Sequence, residues 1–179
     1  THIRLVHIPP QSLVLIIGGT CNVTKRIHHT GGTETLFAYS DTKLNNTTQV
    51  MDEISQHLTS QGHTLLFTHI PPVNIRKYNY FLHSVKQTLH MPMHDTTANQ
   101  QHELEQATAR LNGHIHELNT ANGVGNVRWD KVFLKARGAG RKTGEYFCYS
   151  SMYDGVHFDS PTKDKLLELL VQRIRGILG

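Results

Sequence analysis

Cysteine is scarce: Cys21 and Cys148 are the only two in the chain. They lie far apart, which excludes a disulfide framework and offers no zinc-ligand spacing. Long apolar runs are missing too. No window approaches the ~18 continuous apolar residues of a membrane span, and no signal-peptide pattern opens the sequence. Thr1 is not an initiator Met, so that opening says little about compartment, and a soluble chain from a reducing, intracellular setting is the expectation. Charged residues are slightly lean at 18%. A net charge of +4 and a pI near 9.1 fit a solvated basic surface better than a nucleic-acid groove. Histidine is the exception to this sparseness. Fourteen residues add positive charge below about pH 6.5, where imidazole protonates.

The length of 179 residues suits a single domain with a sizeable core, and there is no internal repeat or low-complexity tract. Residues 13–17, Leu-Val-Leu-Ile-Ile, are a short apolar run closed by Gly18 and Gly19, which predicts a strand buried on both faces of a parallel sheet. Residues 28–47 are polar and read as a long loop. A helix is expected from Thr48 to Ser60, with Val50, Met51, Ile54 and Leu58 on one face and Gly62 as its stop. Leu65 to Thr68 predicts a second buried strand ended by Pro71 and Pro72, and 74–89 a helix with Ile75, Tyr78, Phe81, Leu82 and Val85 as its apolar side. Residues 90–98 read as a loop. From Gln100 to Asn119, apolar residues recur every three or four positions and define a long helix. Val127 to Leu134 predicts a third strand, 135–145 a Gly-rich basic loop, and Pro161 to Leu178 a last helix with Pro in its first turn. Strands alternating with helices argue an α/β fold with a parallel sheet and right-handed crossovers. Three strands are few for such a sheet.

In open parallel sheets, chemistry gathers just beyond the carboxyl ends of the strands. Gly18-Gly19-Thr20-Cys21-Asn22 follows the first predicted strand directly, and Tyr153-Asp154-Gly155-Val156-His157 follows the third and precedes the last helix. In the second segment a carboxylate stands three residues before an imidazole. With Gly155 permitting a tight backbone, Asp154 can accept the Nδ1 hydrogen of His157 and leave Nε2 to take a proton from a nucleophile. The bland alternative is an Asp-Gly turn followed by an exposed histidine, and this segment alone does not separate the two.

The order of segments adds to that reading. Leu13 to Asn22 resembles the apolar strand and G-x-N-D segment of the SGNH (GDSL-type) hydrolases. Phe67-Thr68-His69-Ile70-Pro71-Pro72, with Asn74 and Asn79, is similar to that family's next strand and its proline-bearing exit. Leu111 to Ile115, Gly123-Val124 and the Val127 segment resemble the helix and strand before the catalytic loop. Asp154 to Asp159, Pro161 and the amphipathic helix resemble the D-x-x-H motif and its C-terminal helix. The resemblance covers roughly the C-terminal two-thirds of such a domain. It implies a flavodoxin-like three-layer α/β/α fold, acyl transfer on an ester substrate, His157 as general base and then acid, and Asp154 orienting it. It also implies an oxyanion hole at Gly19 and at the G-x-N-D asparagine. Alignment puts Cys21 at that asparagine and Asn22 at the aspartate, so either Asn22 takes the donor role or this part of the hole is impaired. Losing one such donor costs about 10²–10³ in rate.

The larger departure is the nucleophile. The family's serine lies in a G-D-S motif after its first strand, and neither that motif nor a G-x-S-x-G elbow occurs here. Ser12, Ser40, Ser150 and Ser151 have no motif context. The expectation is therefore a domain lacking its first strands, completed by an N-terminal segment or a second chain that supplies the serine, since a deficient sheet exposes an apolar edge. The alternative is a catalytically inactive SGNH-like module, a pseudoenzyme serving binding or assembly. SGNH-like domains also occur within viral and retroelement proteins, and the Gly-Gly-Thr-Cys-Asn variant fits such a lineage.

No metal or cofactor is expected. His90 and His94 are interrupted by Pro92, and His114 and His116 at i, i+2 face different sides of a helix. In the 135–142 loop, Arg137, Arg141 and Lys142 are the best candidates to bind an anion. That loop lacks the P-loop order, and a solvated basic loop is the plainer reading. Nucleic acid stays a weakly supported partner.

Overall fold

A computed structural model of the chain describes residues 8–28, 34–38, 41–85, 98–136 and 145–179. The centre of the fold is a parallel pair: strand β1 (Leu13–Ile16) beside strand β4 (Thr64–Phe67), in register from Leu13 opposite Thr64 to Ile16 opposite Phe67. A single parallel bridge, Thr68 to Val127, extends the sheet on the far side of β4. The chain is thus a mixed α/β fold with a small parallel sheet. Leu65 and Leu66 have no exposed surface, and burying each such side chain contributes about 2 kcal/mol. Every residue of β1, by contrast, is half-buried. The apolar run at 13–17 predicts a strand covered on both faces; β1 pairs only with β4 among the described residues.

Helices cover both faces. Helix α2 (Asp41–Ser60) and helix α4 (Ala98–Ala121) bring Leu58, Leu104, Leu111 and Ile115 against Leu65 and Phe67. Helix α5 (Ser160–Leu178) brings Leu170, Ile174 and Ile177 against Leu66, Leu13 and Leu15. This division follows the pleat, which sends successive β4 side chains to opposite faces. Asp159 caps α5: its carboxylate accepts the Thr162 N–H at 2.9 Å, and Pro161 sits in the first turn.

Between β1 and α2 the expected long loop is replaced by more structure. After the short helix α1 (Thr20–Val23), strands β2 (Thr24–His28) and β3 (Glu34–Ala38) form an antiparallel pair. Leu36 and Ala38 enter the core, and α2 starts at Asp41, so Asn45 and Asn46 are helical. Polar composition misleads at this point because one face of each element is solvated. Helix α3 spans Ile75–Val85 within the predicted 74–89; residues 86–89 of that prediction and 90–97 of the predicted loop lie outside the described residues, and Ala98 already belongs to α4. The third predicted strand is also corrected. Only Val127 bridges to the sheet; Trp129–Phe133 then forms a 3-10 turn, and β5 (Leu134–Ala136) pairs antiparallel with β6 (Glu145–Phe147). No helix among the described residues is long and apolar enough to cross a membrane.

Candidate functional site

Asp154 and His157 sit on a small closed loop. Its base is the antiparallel bridge between Met152 and Phe158, with Met152 buried and Phe158 packed on Phe133 at 5.3 Å between ring centroids. The Tyr153 N–H donates to His157 O at 2.7 Å and the Asp159 N–H to Ser151 O at 3.0 Å, which fixes both ends. Gly155 turns the loop with φ +98°, and an added Cβ would lie 2.5 Å from Asn74 O and 2.9 Å from Tyr78 N. The Asn74 N–H donates to Gly155 O at 2.8 Å, and the Lys77 ammonium donates to Met152 O. The start of α3 therefore holds the loop from behind.

Within that loop Asp154 is 2% exposed. Its Oδ1 accepts the Val156 and His157 N–H groups at 2.9 and 2.7 Å, and its Oδ2 lies 2.6 Å from His157 Nδ1. Burial pushes the Asp154 carboxyl up, but the hydrogen bonds from the His157 backbone and ring and from Val156 outweigh it and hold the group below its ordinary value. An ionised Asp154 is acceptor-only, so Nδ1 of His157 carries the hydrogen in this contact. The His157 side chain is 67% exposed, and no described group is hydrogen-bonded to its Nε2. The arrangement is a largely exposed imidazole held at Nδ1 by a buried carboxylate.

The other predicted residues lie elsewhere. Gly19, at φ +111°, passes so close to Ile70 that a Cβ would sit 2.2 Å from its Cδ1. Its carbonyl accepts the Asn22 N–H at 2.9 Å. Gly18, Gly19 and Asn22 line a cleft of about 540 Å³ with Ile16, Met51 and Phe67. Cys21 is exposed and is not among the residues lining that cleft. Neither are Asp154 and His157, so this cleft does not join the oxyanion candidates to the dyad. Residues 70–78 connect them, with Ile70 against Gly19 and Asn74 against Gly155. Arg137, Arg141 and Lys142 lie outside the described residues.

A second imidazole–carboxylate pair was not anticipated from the sequence. His69, 3% exposed, lies immediately after Thr68 and the end of β4. Its Nδ1 is 3.1 Å from Asp130 Oδ1, and Arg128 donates Nε and Nη2 to the same carboxylate at 3.0 and 2.8 Å. His69 Nε2 is buried without a hydrogen-bond partner among the described residues. The available signal was a histidine just past the central strand, where parallel sheets place their chemistry; its partner, 61 residues away, has no motif to mark it. Among the described residues no three His, Cys, Asp or Glu side chains cluster as a metal site would require. No family model, curated protein or solved structure matches this chain.

Proposed function

We propose that this chain is an SGNH-type hydrolase module that cleaves an ester by acyl transfer. In this reading His157 is the general base and Asp154 orients it. The nucleophilic serine comes from a segment or second chain that also pairs with β1 on the side away from β4, where no described strand lies, and completes a flavodoxin-like α/β/α sheet. The observation that carries the proposal is the dyad itself: a buried carboxylate with three hydrogen bonds, one of them to Nδ1 of an imidazole whose Nε2 faces solvent. The scheme is serine attack on the ester carbonyl with the hydroxyl proton passing to Nε2. The imidazolium then protonates the leaving alcohol, and water hydrolyses the acyl intermediate. Asn22, at the mouth of the cleft with Gly19, is the side-chain oxyanion donor in this scheme, and Cys21 is not.

One observation favours a second reading, a non-catalytic SGNH-like module for binding or assembly. No described hydroxyl is hydrogen-bonded to His157 Nε2, and the dyad stands apart from the cleft that holds Gly19 and Asn22. A single experiment separates the two. The full-length polypeptide is treated with a fluorophosphonate probe and with a short-chain aryl ester. The hydrolase reading expects labelling and turnover, both reduced by roughly 10²–10⁴ in His157→Ala. Absence of both in the full-length protein leaves the binding module, and equal activity in the variant removes His157 as the base.

A further inference from the structure

A second concavity, of about 570 Å³, lies between residues 126–132 and one face of α5, and neither Asp154 nor His157 lines it. Lys165, Leu169, Gln172 and Arg173 come from α5 at spacings of three and four, so they share a stripe along the helix. Arg128 and Lys131 face them from the other wall, and among the described residues no carboxylate lines the cleft. Of the acids next in sequence to lining residues, Asp130 is buried and paired with Arg128 and His69, whereas Asp164 and Glu168 are exposed on α5, where Glu168 accepts from the Gln172 amide at 3.1 Å.

Arg173 distinguishes this cleft from an ordinary basic surface. Its guanidinium lies over Gly125, where a Cβ would come 2.2 Å from Nη1 and 2.6 Å from Cζ. Its Nε is buried with no hydrogen-bond partner among the described residues. Leaving a buried charged donor unsatisfied is costly, and an anion against the part of the Arg173 side chain that lines the cleft would offset that cost through its charge. A planar guanidinium fork suits the tetrahedral oxygens of phosphate, which Arg binds bidentately, and Lys165, about two helical turns away on the same stripe, adds a point charge. The volume lies within the range of small-molecule sites and exceeds the needs of one inorganic phosphate. The neighbouring Trp129 offers no stacking platform, since its indole N–H donates to Leu166 O and its ring packs in the core. Recognition would therefore be of phosphate rather than base.

We propose that this cleft binds the phosphate groups of a nucleotide or of a single-stranded nucleic acid, with Arg173 and Lys165 as its principal ligands. The test uses the full chain with two probes: inorganic pyrophosphate, followed by calorimetry, and a fluorescein-labelled oligothymidylate, followed by anisotropy across a salt series. Binding that weakens with salt is expected. The double substitution Arg173→Gln/Lys165→Gln should weaken it about tenfold and lower the salt slope for the oligonucleotide by about 1.4, two contacts at about 0.7 each. Lys165→Gln alone, at an exposed position, should lower it by about 0.7; this arm stands even if the double variant unfolds. Oligonucleotide displaced by pyrophosphate identifies free phosphate compounds as the source, and undisplaced oligonucleotide identifies the polymer. The proposal is overturned if neither probe binds, if the variants bind like the parent, or if binding disappears only when Arg137, Arg141 and Lys142 are neutralised.

Discussion

Asn119 grips Phe67 as a neighbouring strand would. Its Oδ1 accepts the Phe67 N–H and its Nδ2 donates to the Phe67 carbonyl, both at 2.9 Å, and Asn119 itself has no exposed surface. The Thr64 and Thr68 N–H groups point to β1, donating to Ser12 and Ile16. Strand alternation therefore turns the Phe67 amide the other way, towards the side where Val127 makes the one bridge. Asn112, seven residues earlier on α4 and so on the same face, holds the N–H and C=O of Ile70 in the same manner at 2.7 and 2.9 Å. Asn79 on α3 does so for Leu36. At Phe67 a side-chain amide thus supplies the pairing that a longer third strand would otherwise provide.

From this follows a prediction about Asn119→Ala. The substitution strands a buried N–H and a buried C=O, each costing on the order of 1–3 kcal/mol. A loss of roughly 3 kcal/mol in unfolding free energy is expected in a urea titration. A loss no larger than that of a surface Asn→Ala control, such as Asn99→Ala, would show that water replaces the amide and that the clamp is not structural.

This device also explains what was and was not legible beforehand. Periodicity located α4 and α5 to within a few residues, because a wide apolar face leaves a strong 3.6-residue signal. Leu65-Leu66-Phe67 reads as a buried strand because it is a short continuous apolar run closed by Pro71 and Pro72. Val127 to Leu134 misled because its apolar residues serve different partners. Val127 packs with Leu66 and Leu170, whereas Phe133 packs with Met152 and Leu166. The asparagine clamps carry no pattern at all: on a helix, Asn112 and Asn119 look like solvent positions. Likewise Asp154 and His157 are three residues apart and visible as a motif, while His69 and Asp130 meet only through the sheet.

The dyad's loop rests on one glycine, so Gly155→Ala is the substitution most revealing of its rigidity. At φ +98° a side chain is strained whatever the space, and the added Cβ would press on the backbone of Asn74 and Tyr78. A cost of about 2 kcal/mol is expected. The displaced loop should also release the His157 ring from Asp154. Ring proton NMR spectra would report it as loss of a downfield Nδ1–H resonance. A variant that keeps both stability and that resonance would mean the loop is more plastic than its contacts indicate.

The buried pair of His69 and Asp130 gives the last prediction, on acid stability. Burial pushes the Asp130 carboxyl up, but hydrogen bonds from His69 and Arg128 and the charges beside it prevail and hold it well below the usual carboxylate range. A depressed folded value means that the unfolded chain binds the proton more readily. The stabilisation is therefore fully present above the ordinary aspartate range, about 4. It is lost progressively as the pH falls from there towards the folded value. Asp130→Asn removes the charge but keeps the shape, leaving the His69 ring and the Arg128 guanidinium without their carboxylate. At pH 7 the variant should be less stable by about 3 kcal/mol, the typical cost of breaking a buried pair. Below pH 4 the gap should narrow, because the parent is then losing what the variant never had. Unfolding free energies measured from pH 7 to pH 2.5 decide the matter: a gap that stays constant or widens on acidification would mean that Asp130 is not the ionised partner of His69 and Arg128.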